Sequence, residues 1–167
     1  MTVSNAWLLE ASDSLSIAIS DAEMVEYVQV PVSFTVPGAP NYCNQILYWQ
    51  SHLVPVMDLG RLLGFSADEE GSLLSLIAYQ TQPGTALQYM ALKLKVAPRK
   101  IQVDDKQACE LPEAISEGLL SSLCLSCFTH ENRSVLILDI ASLCSAKYRD
   151  QVNESKSDSF KTVITAE

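Results

Sequence analysis

Val36-Pro37-Gly38-Ala39-Pro40 is followed by Ile46-Leu47-Tyr48-Trp49-Gln50-Ser51, then Leu53-Val54-Pro55-Val56-Met57-Asp58-Leu59, and closes with Leu62-Leu63-Gly64. The order reads as a Pro/Gly turn, a strand, a tight corner, a second strand holding a proline, and one helical turn. Pro55 removes a ladder donor, which predicts an edge position or a bend for the strand from Leu53 to Asp58. Asp58 is placed to cap the turn Leu59 to Leu63, and Gly64 to end it.

The same strand-rich pattern extends in both directions. Leu15, Ile17 and Ile19 alternate with Ser14, Ser16, Ala18 and Ser20, as in a half-buried strand. Ser20-Asp21-Ala22-Glu23 has the capping-box spacing and predicts a short helix through Met24-Val25-Glu26. Val28 to Val36 returns to β-rich composition around Pro31. Phe65 to Ser72 is a polar loop with Asp68-Glu69-Glu70. Leu73 to Tyr79 is a continuous apolar run, short enough for a strand buried on both faces. A turn at Thr81 to Thr85 leads to Tyr89–Val96, where Leu92, Leu94 and Val96 alternate with Lys93 and Lys95. Pro98 breaks it, and Ile101 and Val103 resume. Pro112 opens a short helix. Leu119–Phe128 and Val135–Ile140 read as a hairpin joined by Thr129 to Arg133, and Ala141 to Tyr148 as a terminal helix. Residues 1–148 then form the folded part, and the polar 149–167 a mobile tail. Short strands with turn signals and short helical turns point to an all-β barrel architecture with short helices.

Composition narrows the function. A chain of 167 residues, 48% apolar, is long enough to bury a real core. A net charge of -9 argues against nucleic acid and against a polybasic membrane surface. No apolar run is long enough to span a bilayer, so no direct membrane insertion is expected. The N-terminus lacks the pattern of a secretory leader. Five cysteines, an odd number, then suggest free thiols in a reducing compartment, which reads as cytoplasmic.

The strand pair with its Pro-Val-Met-Asp-Leu ending resembles the CheW-like family of adaptors that couple chemoreceptors to a histidine kinase. The resemblance runs from about Leu15 to Cys144, and Val135-Leu136-Ile137-Leu138-Asp139-Ile140 resembles the family's last core strand. It implies two five-stranded SH3-like β-barrel subdomains around a shared apolar core. It also implies a non-catalytic bridging role in chemotaxis signal transduction, with the kinase's regulatory domain and the cytoplasmic tip of the receptor as partners. Met24, Glu26 and Tyr27 stand where the family commonly has Val-x-Glu and become candidates for the kinase-facing surface. Tyr48-Trp49-Gln50-Ser51 stands where the family usually has Asn-Leu-Arg-Gly. Gln50 cannot pair a carboxylate as arginine does, and Ser51 should disfavour a positive φ. Lys95 stands where the family is acidic. These departures leave open a divergent barrel module that binds a small ligand or another protein and no longer joins a receptor array.

Other constellations are weaker. Cys124-Leu125-Ser126-Cys127 with His130 lacks a second ligand pair for zinc, and on a plain strand the two cysteines face opposite sides. His52 and His130 have no nucleophile motif beside them. The acidic pairs lack EF-hand spacing. No catalytic residue, metal or cofactor is therefore assigned. On one strand Tyr48 and Trp49 face opposite sides, so either one is exposed as a binding hot spot or both fill a core.

Overall fold

A computed structural model describes residues 2–13, 15–29, 32–62, 73–113 and 119–145. The strands are β1 (Val3–Ser12), β2 (Leu15–Ser20), β3 (Met24–Gln29), β4 (Ser33–Thr35), β5 (Gln45–Trp49), β6 (His52–Met57), β7 (Leu73–Tyr79), β8 (Gln88–Leu94), β9 (Arg99–Asp104), β10 (Cys124–His130) and β11 (Arg133–Leu138). Short helices are α1 (Leu59–Leu62), α2 (Leu119–Leu123) and α3 (Ile140–Leu143), with a 3-10 turn at Asp105–Gln107. One sheet has the order β10-β11-β2-β1-β9, the other β3-β7-β8-β6-β5-β4. These are the two expected barrels, the second extended by the short edge strand β4.

Among the described residues, three apolar clusters hold the fold together. Leu8, Ala18, Ile101, Phe128 and Val135 fill the terminal barrel, and Leu47, Val54, Val56, Leu74, Leu76 and Ala91 fill the middle one. Between them lies a shared core that includes Leu9, Ile17, Ile19, Ile77, Met90 and Leu92. Leu8 and Leu9, neighbours on β1, serve different cores because successive side chains point to opposite faces. β7 works the same way, Leu74 and Leu76 facing its own barrel and Ile77 the shared core. This explains its unbroken apolar run. β2 is buried on both faces, with Ser16 and Ala18 at 5% and 1% exposure, because its small side chains fit against the barrel interior. The half-buried reading of that strand is corrected accordingly.

Other expectations also change. Ser20 Oγ donates to Glu23 Oε1 (3.0 Å) and accepts from the Glu23 amide (3.3 Å), but the chain then enters β3, and no helix follows. Pairing with β7 outcompetes a single capped turn. Leu119–Leu123 is helical, and the β10–β11 hairpin turns on two residues, Glu131 and Asn132. Val96 is 46% exposed, past the end of β8. The terminal helix is described only over Ile140–Leu143. Cys109 and Cys127 are joined in a disulfide, so the expectation of thiols throughout is corrected: only Cys43, Cys124 and Cys144 lie outside it. The polar loop at 65–72, most of the helix after Pro112 and the tail at 149–167 lie outside the described residues.

The Pro55 region meets its expectation in an altered form. β6 is an interior strand, but β8 pairs with it only at Val56 and Met57. The two-residue corner makes Trp49 and His52 a hydrogen-bonded pair, so Ile46 and Pro55, three pairs further on, form a non-hydrogen-bonded one. The proline nitrogen therefore faces away from β5, just before the second neighbour begins. Asp58 caps α1, its Oδ1 accepting from the Arg61 amide at 3.1 Å.

Candidate functional site

The corner Gln50-Ser51 ends the middle barrel. Both residues are left-handed, at φ 42° and 66°, as a tight two-residue hairpin requires. Ser51 therefore keeps the backbone that glycine would favour, against expectation. Below the corner, Trp49 packs on the barrel core and its ring lies 5.2 Å from Tyr89 and 6.2 Å from His52. Trp49 Nε1 donates to Glu26 Oε1 at 2.6 Å. That bond joins β5 to β3 across the mouth of the barrel, between strands that do not pair in the sheet.

A bulge in β3 sets this up. Met24 opposes Ile77 and Glu26 opposes Leu76, with Val25 as the extra residue. Without the extra residue, Met24 and Glu26 would share a face. With it, Met24 turns to the shared core, where its sulfur accepts from Ser75 Oγ at 3.0 Å, and Glu26 turns to the barrel mouth. Tyr27 is 45% exposed. Of the residues singled out by sequence, Glu26, Trp49, Gln50 and Ser51 come together at one tip, with Tyr48 beside them. Lys95 stands apart, its Nζ 3.0 Å from Asp13 Oδ1 and its amide bonded to the Glu10 carbonyl.

Tyr48 faces outward. Across the strands it opposes Leu53, and both are exposed, at 61% and 70%. On the same face, Phe34, Ile46 and Pro55 form one cross-strand row. Phe34 and Val32 are also exposed. An uncharged apolar surface thus covers the outside of β4, β5 and β6. Sequence reasoning found only Tyr48; the parity of Phe34, Ile46, Leu53 and Pro55 relative to Tyr48 carried the rest of the signal.

A second feature lies at the open end of the terminal barrel. A cavity of about 320 Å³ is walled by Ala6, Ile19, Val103, Phe128 and Leu138, with Glu23 at its edge. Burial holds the Glu23 carboxyl above its ordinary range, with Ser20 offsetting part of the rise and Asp139 adding to it. Nearby, Asp21 is lowered by the Trp7 indole N–H and by Lys100. The Cys124–Cys127 pair needs a correction. A bulge between Cys124 and Ser126 sets the two opposite Leu138 and Leu136, on one face. Cys127 is nonetheless in the disulfide, and no cluster of three or more His, Cys, Asp or Glu suited to a metal occurs among the described residues. No helix among them is long and apolar enough to cross a membrane.

Comparison with known proteins bears on this geometry. The family model for the CheW-like domain matches residues 7–147. No curated protein matches the chain. Among solved structures, the scaffolding protein TtCheW from Thermoanaerobacter tengcongensis aligns with a TM-score of 0.65 at 14% identity, covering 83% of this chain and 90% of that one. The likeness supports the double-barrel fold, and the family model, spanning nearly all of both barrels, shows that the chain belongs to the CheW-like family of chemotaxis scaffolds.

Proposed function

We propose that the protein is a non-catalytic cytoplasmic adaptor that couples a chemoreceptor to a histidine kinase. The uncharged face formed by Phe34, Tyr48, Leu53 and Pro55, beside the pinned Trp49–Glu26 tip, carries the reading. Contiguous exposed apolar surface of this kind marks protein contact sites. The kinase's regulatory domain docks on this face. With Gln50 in place of the family's arginine, its recognition rests on apolar burial more than on ion pairing. The receptor's helical tip meets the cavity at the end of the terminal barrel.

Calorimetric titration with the kinase regulatory domain from the same genome tests the first contact. Tyr48→Ala and Leu53→Ala should each weaken binding by about 30-fold, the effect of losing a hot spot of roughly 2 kcal/mol. Unchanged affinity in both variants, or no binding by the wild type, would overturn the assignment of this face. Ala6→Phe, which fills the cavity, should separately abolish capture by receptor fragments while leaving kinase binding intact.

A second reading, a module that binds a small ligand, rests on the same cavity. A stabilising compound found by thermal shift, and lost in Ala6→Phe, would favour it.

A further inference from the structure

A different cavity, of about 330 Å³, opens at the seam between the barrels, and four sulfur-bearing side chains meet on its wall. They are Cys43, Met57, Met90 and Cys144, with Tyr79 and Leu143 beside them. Cys144 Sγ lies 3.4 Å from Met90 Sδ. Met57 and Met90 belong to the shared core, and both cysteines are half-buried against it and outside the disulfide.

The four residues come from separate parts of the fold. Cys43 sits in the turn before β5, its amide bonded to the Pro40 carbonyl at 3.0 Å. Met57 ends β6 and Met90 lies in β8. Cys144 is the C-cap of α3, its amide bonded back to Ile140. The framework therefore brings these side chains to one cavity wall without help from a ligand, with Cys144 Sγ and Met90 Sδ already in contact, which lowers the ordering cost of binding one.

The ligand chemistry is selective. Two thiols and two thioethers face this cavity, and no carboxylate or imidazole does so among the described residues. Calcium and magnesium require oxygen ligands. Structural zinc favours four thiolate or imidazole ligands. Thiolate with thioether is a soft set and selects Cu(I).

We propose that this seam cavity binds one Cu(I) ion through the thiolates of Cys43 and Cys144 and the thioether of Met90, with Met57 as the neighbouring sulfur. Each thiol releases its proton to solvent as its Cu–S bond forms, and copper does not change oxidation state. Tyr79 stands beside the cavity as a neutral neighbour, its hydroxyl donating to Gln88 Oε1 at 3.1 Å. Because protons are released, affinity rises with pH.

Anaerobic titration of the intact chain with Cu(I), in competition with bathocuproine disulfonate, tests the proposal. The protein should withdraw one equivalent of Cu(I) and develop ultraviolet thiolate-to-copper absorption. Cys43→Ser/Cys144→Ser should abolish this. Met90→Leu, which preserves volume, should lower affinity about tenfold, the scale on which support around a metal site is felt. Cys124→Ser should change nothing. Equal Cu(I) withdrawal by the double cysteine variant or by Met90→Leu would overturn the site, as would loss of binding in Cys124→Ser or no withdrawal by the wild type. Should the double variant fail to fold, Met90→Leu decides the matter.

Discussion

Trp49→Phe tests whether the hairpin tip is pinned in solution. The substitution keeps an aromatic ring against Tyr89 but deletes the Nε1–H that donates to Glu26 Oε1 at 2.6 Å. A hydrogen bond to an ionised group contributes about 1.5–3 kcal/mol in general. Glu26 is exposed, so solvent competes for its carboxylate, and the value should fall to about 1 kcal/mol. Since Phe also buries less area than Trp, the single variant mixes two losses. A double-mutant cycle with Glu26→Ala separates them, because loss of area at residue 49 cancels around the cycle. Urea unfolding of all four proteins, followed by far-UV circular dichroism because the reporting indole is itself removed, should give a coupling energy of about 1 kcal/mol. If the two single effects add within about 0.3 kcal/mol, the bond contributes nothing measurable, and the tip is held by ring packing alone.

Glu23→Gln should reveal a pH-dependent cost. Burial holds this carboxyl above its ordinary 4.5, so the folded state binds the proton more tightly than the unfolded chain. Stability then falls as pH rises from 4.5 through the folded-state value, and the cost is fully present above that value. In thermal unfolding the variant should exceed the wild type at neutral pH, and the gain should vanish below 4.5. Asp21 has the opposite sign: its contribution is present above 3.8 and is lost as pH falls through the lowered folded-state value. In an NMR titration, Trp7→Phe should move the Asp21 midpoint back toward 3.8. Asp58→Ala removes the acceptor for the Arg61 amide and the counter-charge to Arg61 and Lys93. It should cost about 1–2 kcal/mol in denaturant unfolding, with much of the cap regained in Asp58→Asn. Ser51→Gly should be neutral to slightly stabilising: it relieves about 1 kcal/mol at φ 66° but frees the unfolded chain by a similar amount. Ser51→Val should destabilise, and equal melting temperatures for the two would show that the corner is not left-handed in solution.

What the sequence made legible was local. Pro55, Asp58 and the flanking alternation each report a backbone event within a few residues, so the hairpin, α1 and the buried β7 could be read directly. Ser20 to Glu23 shows the limit. The capping bonds predicted from spacing are present, but a cap does not guarantee a helix when a neighbouring strand competes for the backbone. The bulges at Val25 and Leu125 were invisible because they leave composition unchanged and alter only parity. Parity decides the site: it sends Glu26 to the barrel mouth and sets Cys124 and Cys127 on one face. The Trp49–Glu26 bond spans 23 residues between non-adjacent strands, and the four-sulfur cavity draws on four elements. Contacts of this kind follow from closure of the fold, which no local pattern encodes.

The corner at Gln50-Ser51 shows how such a protein can keep its fold while changing its surface. A glycine there would lower the cost of a left-handed backbone, but it is not what imposes that backbone. The hairpin twist and the register do so, through the buried pair of Leu47 and Val54, at 4% and 0% exposure. A one-residue slip would send these to solvent and bring Tyr48 and Leu53 inside. Burying such a pair contributes several times the roughly 1 kcal/mol that a left-handed serine costs. The hairpin is therefore fixed by its inward residues, and its corner and outward residues are released to vary. Gln50 and Ser51 at the tip and Tyr48 and Leu53 on the flank occupy those released positions, which is where a change of partner would be written without disturbing the barrel.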